Sequence, residues 1–424
     1  MKIWEHVAWF SMFLQPKLRI LPIGAAVCLL VTASTGQANE VCFQNLLTFL
    51  RSEVETDKFP GVAMVVDRAG KIILDTRYGH LTLAKEKSLP ADAIFHFFSM
   101  TKPITSVAAL ILHERGKLNI DDRLSKYIPE FRRMEVHTEE GLVAAEREIT
   151  IRDLLRHTSG ITYGFFGEGA VRAAYRAASI GAPTVTNAQS AKDIAGLPLE
   201  HQPGTTWEYS RSTDVLGRVI EIASGQPIDV FFKESILWPL GMSDTDFYIP
   251  AEKQNRAAGS FSALPVAGIL AGTYKPAYLS GGGGLVSTMS DYLKFLRMLR
   301  NGGELDGVRL LTKATVEEMR KDQLFGNGIK PGKYYINGHG HGFGLGLSVK
   351  LFVHKQAWPG PVGSYWWSGA AGTLFWLDPV NDLIAIYLVQ TLNLHENWMR
   401  WATVRSLFYK DYGMDGSNAA TCLG

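Results

Sequence analysis

The sequence predicts a mixed α/β (α+β) fold in which an antiparallel β-sheet, flanked by helices, is assembled from the two ends of the chain around a mostly helical lobe. Three observations predict it. Strand signals stand near the start, at residues 63–75, and return toward the end, at residues 343–388, while the segment between carries helical spacing and loops marked by Pro and Gly. The expected organisation is a sheet domain of residues 40–115 and 276–424, a mostly helical domain of residues 116–275, and an active site between them.

Residues 63–66 and 71–75 are short apolar runs separated by Asp67, Arg68, Ala69 and Gly70, which predicts a β-hairpin. From 101 to 115 the apolar positions Ile104, Val107, Ala108, Leu110 and Ile111 recur at helical spacing and end at Gly116, a C-cap residue. The middle segment predicts short helices at 151–156 and 215–223. The run Ser280 to Gly284 brings backbone close to another element, and a helix at 290–299 follows, capped by Ser290 or Asp291. The tail predicts strands at 343–351, 372–377 and 383–388, then a helix at 398–409.

Composition bounds the function. A chain of 424 residues with 46% hydrophobic residues, 43 Lys+Arg against 41 Asp+Glu and 3 Cys is neither disordered nor a disulfide scaffold. Its net charge of +2, without a basic run, argues against nucleic acid or an anionic surface and for a small, fairly apolar partner. Residues 1–38 order themselves as a basic segment (Lys2, Lys17, Arg19), an apolar stretch and small residues ending at Ala38, which reads as a secretory signal peptide and hence a periplasmic or secreted protein. An uncleaved anchor is the alternative. Cutting there leaves Cys42 and Cys422, which an oxidising compartment invites to pair, against the reading of two unrelated small hydrophobes.

Three features could carry chemistry. Ser99 and Lys102 stand three apart, and Pro103 fixes them in the first turn of the 101–115 helix, where free N–H groups favour developing negative charge. A Lys102 held neutral by burial could accept the Ser99 proton. A Ser three residues before a Lys arises by chance about once or twice in a chain of this size, so a capped helix with a solvated lysine stays open. Tyr209, on a turn between aromatic and polar residues, is either a general base through its phenolate or a core phenol. Trp366 to Thr373 is a turn whose small residues let a substrate reach a free backbone N–H, or a turn under two packed tryptophans. Trp207, Trp366, Trp367, Phe165 and Phe166 are candidates to line an apolar acyl pocket. His339 and His341 lie two apart without HExxH or a Cys cluster, so no metal and no cofactor is expected, and His157 reads as structural.

Together these features resemble the serine β-lactamase and penicillin-binding protein superfamily, in its class C-like branch and closest to the family VIII carboxylesterases. The segments FSMTKPIT (98–105), TIRDLLRHTSG (150–160), PLGMSD (239–244) and GGGGLVSTM (281–289) are similar to family landmarks in family order, over about residues 45–410. The resemblance implies that Ser99 is the acylated nucleophile, Lys102 its proton acceptor, and Tyr209 the group that passes protons to the leaving group and then activates water. Backbone N–H groups of Ser99 and Ala370 would form the oxyanion hole. Two positions depart from the lactamase pattern. Arg211 stands where an Asn is usual, and Trp367, Ser368, Gly369 replaces a motif that begins with Lys or His. The cation that would hold a β-lactam carboxylate is missing there, which leans toward short-chain carboxylic esters, although Arg211 could restore a charge. A β-lactamase or D-alanyl-D-alanine carboxypeptidase, and a catalytically silent peptidoglycan- or partner-binding member, are the alternatives.

Overall fold

The computed structural model describes residues 42–56, 58–178, 180–259, 274–414, 417 and 418; the expected signal segment and Cys422 lie outside the described residues. Within them the predicted sheet is present and draws on both ends of the chain. Strands β1 (Gly61–Arg68) and β2 (Lys71–Gly79) form the hairpin, turning at Ala69 and Gly70, whose φ values of 49° and 87° are those of the primed two-residue loop that matches strand twist. Five further strands, β3 (His341–Phe343), β4 (Ser348–Lys350), β5 (Tyr365–Ser368), β6 (Leu374–Asp378) and β7 (Leu383–Leu388), complete a seven-stranded sheet in the order β3-β4-β5-β6-β7-β1-β2. Every neighbouring pair is antiparallel, and Ala63 of β1 faces Leu388 of β7 where the two ends of the chain meet.

Alternation sorts the side chains onto two buried faces. Val62, Met64, Trp366, Trp376 and Tyr387 pack on one side against α1 (Gln44–Glu55) and the last helix, α5 (Leu394–Tyr412). Ala63, Val65, Trp367, Phe375 and Ile386 pack on the other, against α2 (Thr101–Glu114) and α4 (Met289–Arg300). Arg297 and Arg300 of α4 both hold the fully buried carboxylate of Asp67, tying that helix to the hairpin. The middle of the chain supplies α3 (Ser212–Ser224), shorter helices at Ile151–Leu155, Ala170–Ala177 and Asn187–Ala195, and a small hairpin at Glu135–Thr138 and Gly141–Ala144.

Three boundaries differ from expectation. The run at 343–351 is two strands, because Gly346 turns with φ 91° directly against α2, where a Cβ would lie 2.1 Å from Ser106 Oγ. β5 was not foreseen as a strand, since Tyr365, Trp366 and Trp367 are buried on both faces and show no polar alternation. The cap of α4 is Thr288, whose hydroxyl accepts the Asp291 N–H at 3.2 Å, in place of Ser290 or Asp291. The Asp291 carboxylate is instead engaged by Asp244 N–H and the Thr245 hydroxyl.

Candidate active site

Ser99 lies in the one-turn 3₁₀ segment Phe98–Met100 between the short strand Ile94–His96 and α2. Phe98 there has φ 46°, a left-handed conformation that costs a non-glycine residue about 1 kcal/mol or more and lets the chain swing directly from strand to helix. From Ala93 to Leu112 every residue is buried except Ser99, which is half-buried.

Lys102, one helical turn on, is 1% exposed. Its Nζ donates to Gly282 O at 2.6 Å and to the Tyr163 hydroxyl at 3.2 Å, stands 3.4 Å from Ser99 Oγ, and lies 4.6 Å from the centre of the Tyr209 ring. Burial pulls its amine down to about 7; the Arg211 guanidinium reinforces this and the Asp214 carboxylate opposes it. The glycine run follows from the same contact. A Cβ on Gly281 would lie 2.7 Å from Thr213 O, and one on Gly282 3.0 Å from the Asp214 carboxylate, so glycine lets this turn pass between α3 and Lys102. Ser280 Oγ and Gly282 N–H both donate to Asp214, at 2.6 and 3.0 Å.

Tyr209 completes the cluster. Its hydroxyl is buried beside the Ser99 hydroxyl and the Trp367 indole without closing a well-formed hydrogen bond, and burial drives the phenol far above its ordinary range. Its ring is boxed by Trp207, His157, Tyr163 and Trp367, with centroids 5.0 to 6.2 Å away. His157 belongs to this support. It is buried, its Nδ1 lies 3.1 Å from Ser210 Oγ, and burial together with Lys102 keeps it neutral.

The turn from β5 to β6 closes the site. Gly369 N–H donates to Thr373 O at 2.8 Å, and a Cβ on Gly369 would lie 2.2 Å from Phe97 O, so Ser368, Gly369 and Ala370 are pressed against the segment that carries Ser99. Asn397 of α5 holds Ala370 from behind, through its carbonyl.

The remaining expected residues divide. Arg211 is buried behind Tyr163, donating to Ile180 O and the Tyr278 hydroxyl and lying 3.6 Å from the Asp214 carboxylate. Phe165 is exposed and packs on Tyr163 and Phe166 at the edge of the cluster. Trp366 does not line the site as expected: alternation turns it to the opposite face of the sheet, where it stacks on Trp358 with centroids 4.3 Å apart. Tyr163, Asp214 and Gly282 O were not foreseen as partners of Lys102. Tyr163 follows the segment 150–160 by three residues, and no periodicity marks it. Away from the site, Cys42 is disulfide-bonded.

A sheet built from both chain ends, with a serine, lysine and tyrosine gathered where its buried helix begins, is the arrangement of the β-lactamase and penicillin-binding protein superfamily. The chain belongs to the Beta-lactamase family, whose family model matches residues 47–409. Protein Rv1367c of Mycobacterium tuberculosis is 35% identical over 363 residues, covering 80% of this chain and 88% of its own length. Esterase EstB of Burkholderia gladioli is 30% identical over 355 residues, covering 78% and 86%. Among solved structures, EstCE1, a hydrolase with promiscuous acyltransferase activity, superposes with a TM-score of 0.72 at 24% identity, over 88% of this chain and all of its own. A simvastatin synthase (LovD) variant from Aspergillus terreus superposes with a TM-score of 0.69 at 22% identity, over 88% and 98%.

Proposed function

We propose that this protein is a serine hydrolase that cleaves short-chain carboxylic esters through an acyl-enzyme. One observation carries the reading: Ser99, the one residue of the twenty from 93 to 112 that is not fully buried, stands 3.4 Å from an amine that burial has brought to about 7. Near pH 7 about half of such an amine is free base. Ser99 Oγ attacks the ester carbonyl and its proton passes to Lys102 Nζ. The tetrahedral oxyanion is held by the N–H groups of Ser99 and Ala370. On collapse the carbon–oxygen bond to the alcohol breaks and the leaving oxygen takes a proton from Tyr209, which is restored from Lys102. Water then attacks the Ser99 ester as its proton passes through Tyr209 to Lys102; on collapse the bond from the acyl carbon to Ser99 Oγ breaks, Lys102 returns the proton to Oγ, and the acid is released.

Two observations favour an ester over a lactam. Trp367, Ser368 and Gly369 offer no cation to a substrate carboxylate, and Arg211 is committed to Asp214, Tyr278 and Ile180 O. The esterases among the relatives agree with this. The site is read as lying between a sheet domain and a mostly helical lobe of residues 116–275. Export, with residues 1–38 as the signal, is supported by the bonded Cys42, since disulfides persist in oxidising compartments.

Hydrolysis of p-nitrophenyl butyrate and of nitrocefin by the protein and its Ser99→Ala variant tests the proposal. Ester turnover that disappears in the variant is expected. Turnover that survives it would sink the mechanism, and nitrocefin turnover without ester turnover would replace the substrate class with lactams.

A further inference from the structure

We propose that Arg211 is a positioning residue for the base: it serves as the buried counter-ion of Asp214 and so relieves Lys102 of that role, leaving the amine free to accept the Ser99 proton. The inference rests on the function proposed above.

Local structure gives no reason for a cation at this position. Arg211 is the N-cap of α3, makes no capping hydrogen bond with its side chain, and adds positive charge to the helix end that is already positive. The side chain is nonetheless buried and held on several sides. Nη2 donates to Ile180 O at 3.0 Å, and Nη1 donates to the Tyr278 hydroxyl at 3.4 Å and lies 3.6 Å from Asp214 Oδ2. The guanidinium also stands 5.5 Å from the centre of the Tyr163 ring. Gly181 passes so close that a Cβ there would meet Nη1 at 3.1 Å. The reason for the arginine therefore lies in what it meets across the fold, and its one charged contact there is Asp214.

Asp214 is where two cations compete. Its Oδ1 accepts from Ser280 Oγ at 2.6 Å and from Gly282 N–H at 3.0 Å, which fixes the glycine turn, while the carbonyl of the same Gly282 accepts from Lys102 Nζ at 2.6 Å. The carboxylate and the amine thus hold the two ends of one residue. A carboxylate so near a buried lysine favours the protonated amine, which is the wrong state for a base. With Arg211 in place the carboxylate and the guanidinium balance, and a proton on Lys102 would be an uncompensated charge in a site where the lysine is 1% exposed. Without Arg211 the balanced arrangement would be Asp214 with protonated Lys102. Arginine suits the role because it keeps its charge where a second lysine could lose its own. The influences on the amine agree: burial lowers it most, Asp214 raises it and Arg211 lowers it. The other titratable groups around the pair are uncharged, since burial keeps Tyr163, Tyr209 and Tyr278 protonated and His157 neutral.

The acid limb of the kcat/KM profile for p-nitrophenyl butyrate, followed from pH 5 to 9.5 in Arg211→Met, Asp214→Asn and the double variant, tests the inference. Arg211→Met is expected to move the limb up by about one pH unit, so that kcat/KM falls about tenfold at pH 6 and returns to within about threefold of the parent above pH 9. Asp214→Asn is expected to move the limb down by about as much, and the double variant to bring it back to within about 0.3 pH units of the parent. A merely structural role would lower the rate at every pH and leave the limb in place. A limb unmoved in Arg211→Met, or moved in the same direction by both single changes, would overturn the inference. If Arg211→Met strands a buried carboxylate and does not fold, Asp214→Asn decides: a limb there that stays or rises overturns it. Ser99→Ala, run alongside, keeps the two proposals apart. Turnover surviving Ser99→Ala removes the function beneath, whereas its loss together with an unmoved limb removes only this inference. A parent profile without an acid limb removes the base assignment to Lys102 and this inference with it.

Discussion

Trp366 and Trp367 are neighbours in sequence and stand on opposite faces of one sheet, and each face buries a cation among aromatic rings. On the Trp367 face the cation is Lys102, between Tyr209 and Tyr163. On the Trp366 face it is Arg405 of α5, with its guanidinium 5.4 to 5.8 Å from the ring centres of Trp358, Trp366 and Trp376 and one donor on Pro359 O. Burial lowers both, but to different ends: Lys102 falls to about 7, whereas Arg405 falls only to about 10 and stays charged. The same environment therefore makes a base from an amine and a structural peg from a guanidinium. Residue type and access to Ser99, more than burial, separate the working face from the supporting one.

That comparison breaks first at Lys102→Arg. If the cation's only task were to fill its site, the change would be mild. Because a buried guanidinium remains protonated, as Arg405 does, ester turnover is expected to fall by about 10³-fold or more. Steady-state assays with p-nitrophenyl butyrate between pH 7 and 9 check this, and a variant within tenfold of the parent would refute the base role. Second in size is the pH dependence of the parent. With Lys102 as the base, kcat/KM should rise about tenfold per unit below pH 7 and level above it. A profile flat from pH 5 to 8 would contradict that assignment. Third, Arg405→Ala should lower unfolding stability by about 3 kcal/mol through the cavity left among three tryptophans, with kcat/KM of the folded protein within about twofold. A large loss of turnover with little change in denaturation would show that the supporting face reaches the chemistry.

How far the sequence reveals all this follows the same division. The hairpin, α2 and β7 are legible because each has a period or turn chemistry of its own: Asp67 to Gly70 marks a turn, and the apolar spacing from Ile104 to Ile111 marks a helix. β5 is hidden because burial on both faces erases alternation, and the break at Gly346 is hidden because it is imposed by Ser106, 240 positions earlier, across a tertiary contact. At the site, Ser99 and Lys102 are legible from one helical turn of spacing fixed by Pro103. Tyr209 is legible only through its resemblance to a family segment. Tyr163, Asp214 and Gly282 O are set by three separate elements converging on one Nζ or its surroundings, and no local pattern records a convergence of that kind. Trp366 shows the converse error. A doublet of tryptophans suggests one pocket, yet successive residues on a strand face opposite ways.

The smallest predicted effect is on stability, and it tests whether the working face is held at a cost. Lys102 has a folded-state value of about 7 against an ordinary 10.5. Between those values the unfolded chain binds more protons at this position than the folded one does, so stability must rise with pH across the interval. From pH 6 to pH 8 the gain from this one group is about 1.4 kcal/mol. Other groups titrate in the same range, so the comparison is with Lys102→Met, in which only this contribution is removed. His157 is held neutral first by burial, which Lys102→Met leaves in place, and only secondarily by Lys102. Chemical denaturation at pH 6 and 8 should show the parent gaining about 1.4 kcal/mol more than Lys102→Met. Equal gains would mean that Lys102 is not depressed in the folded protein, and the base role would lose its physical footing even if Lys102→Arg were inactive. At Arg405 the matching experiment should show nothing between pH 6 and 8, because a group that titrates at about 10 is protonated in both states throughout.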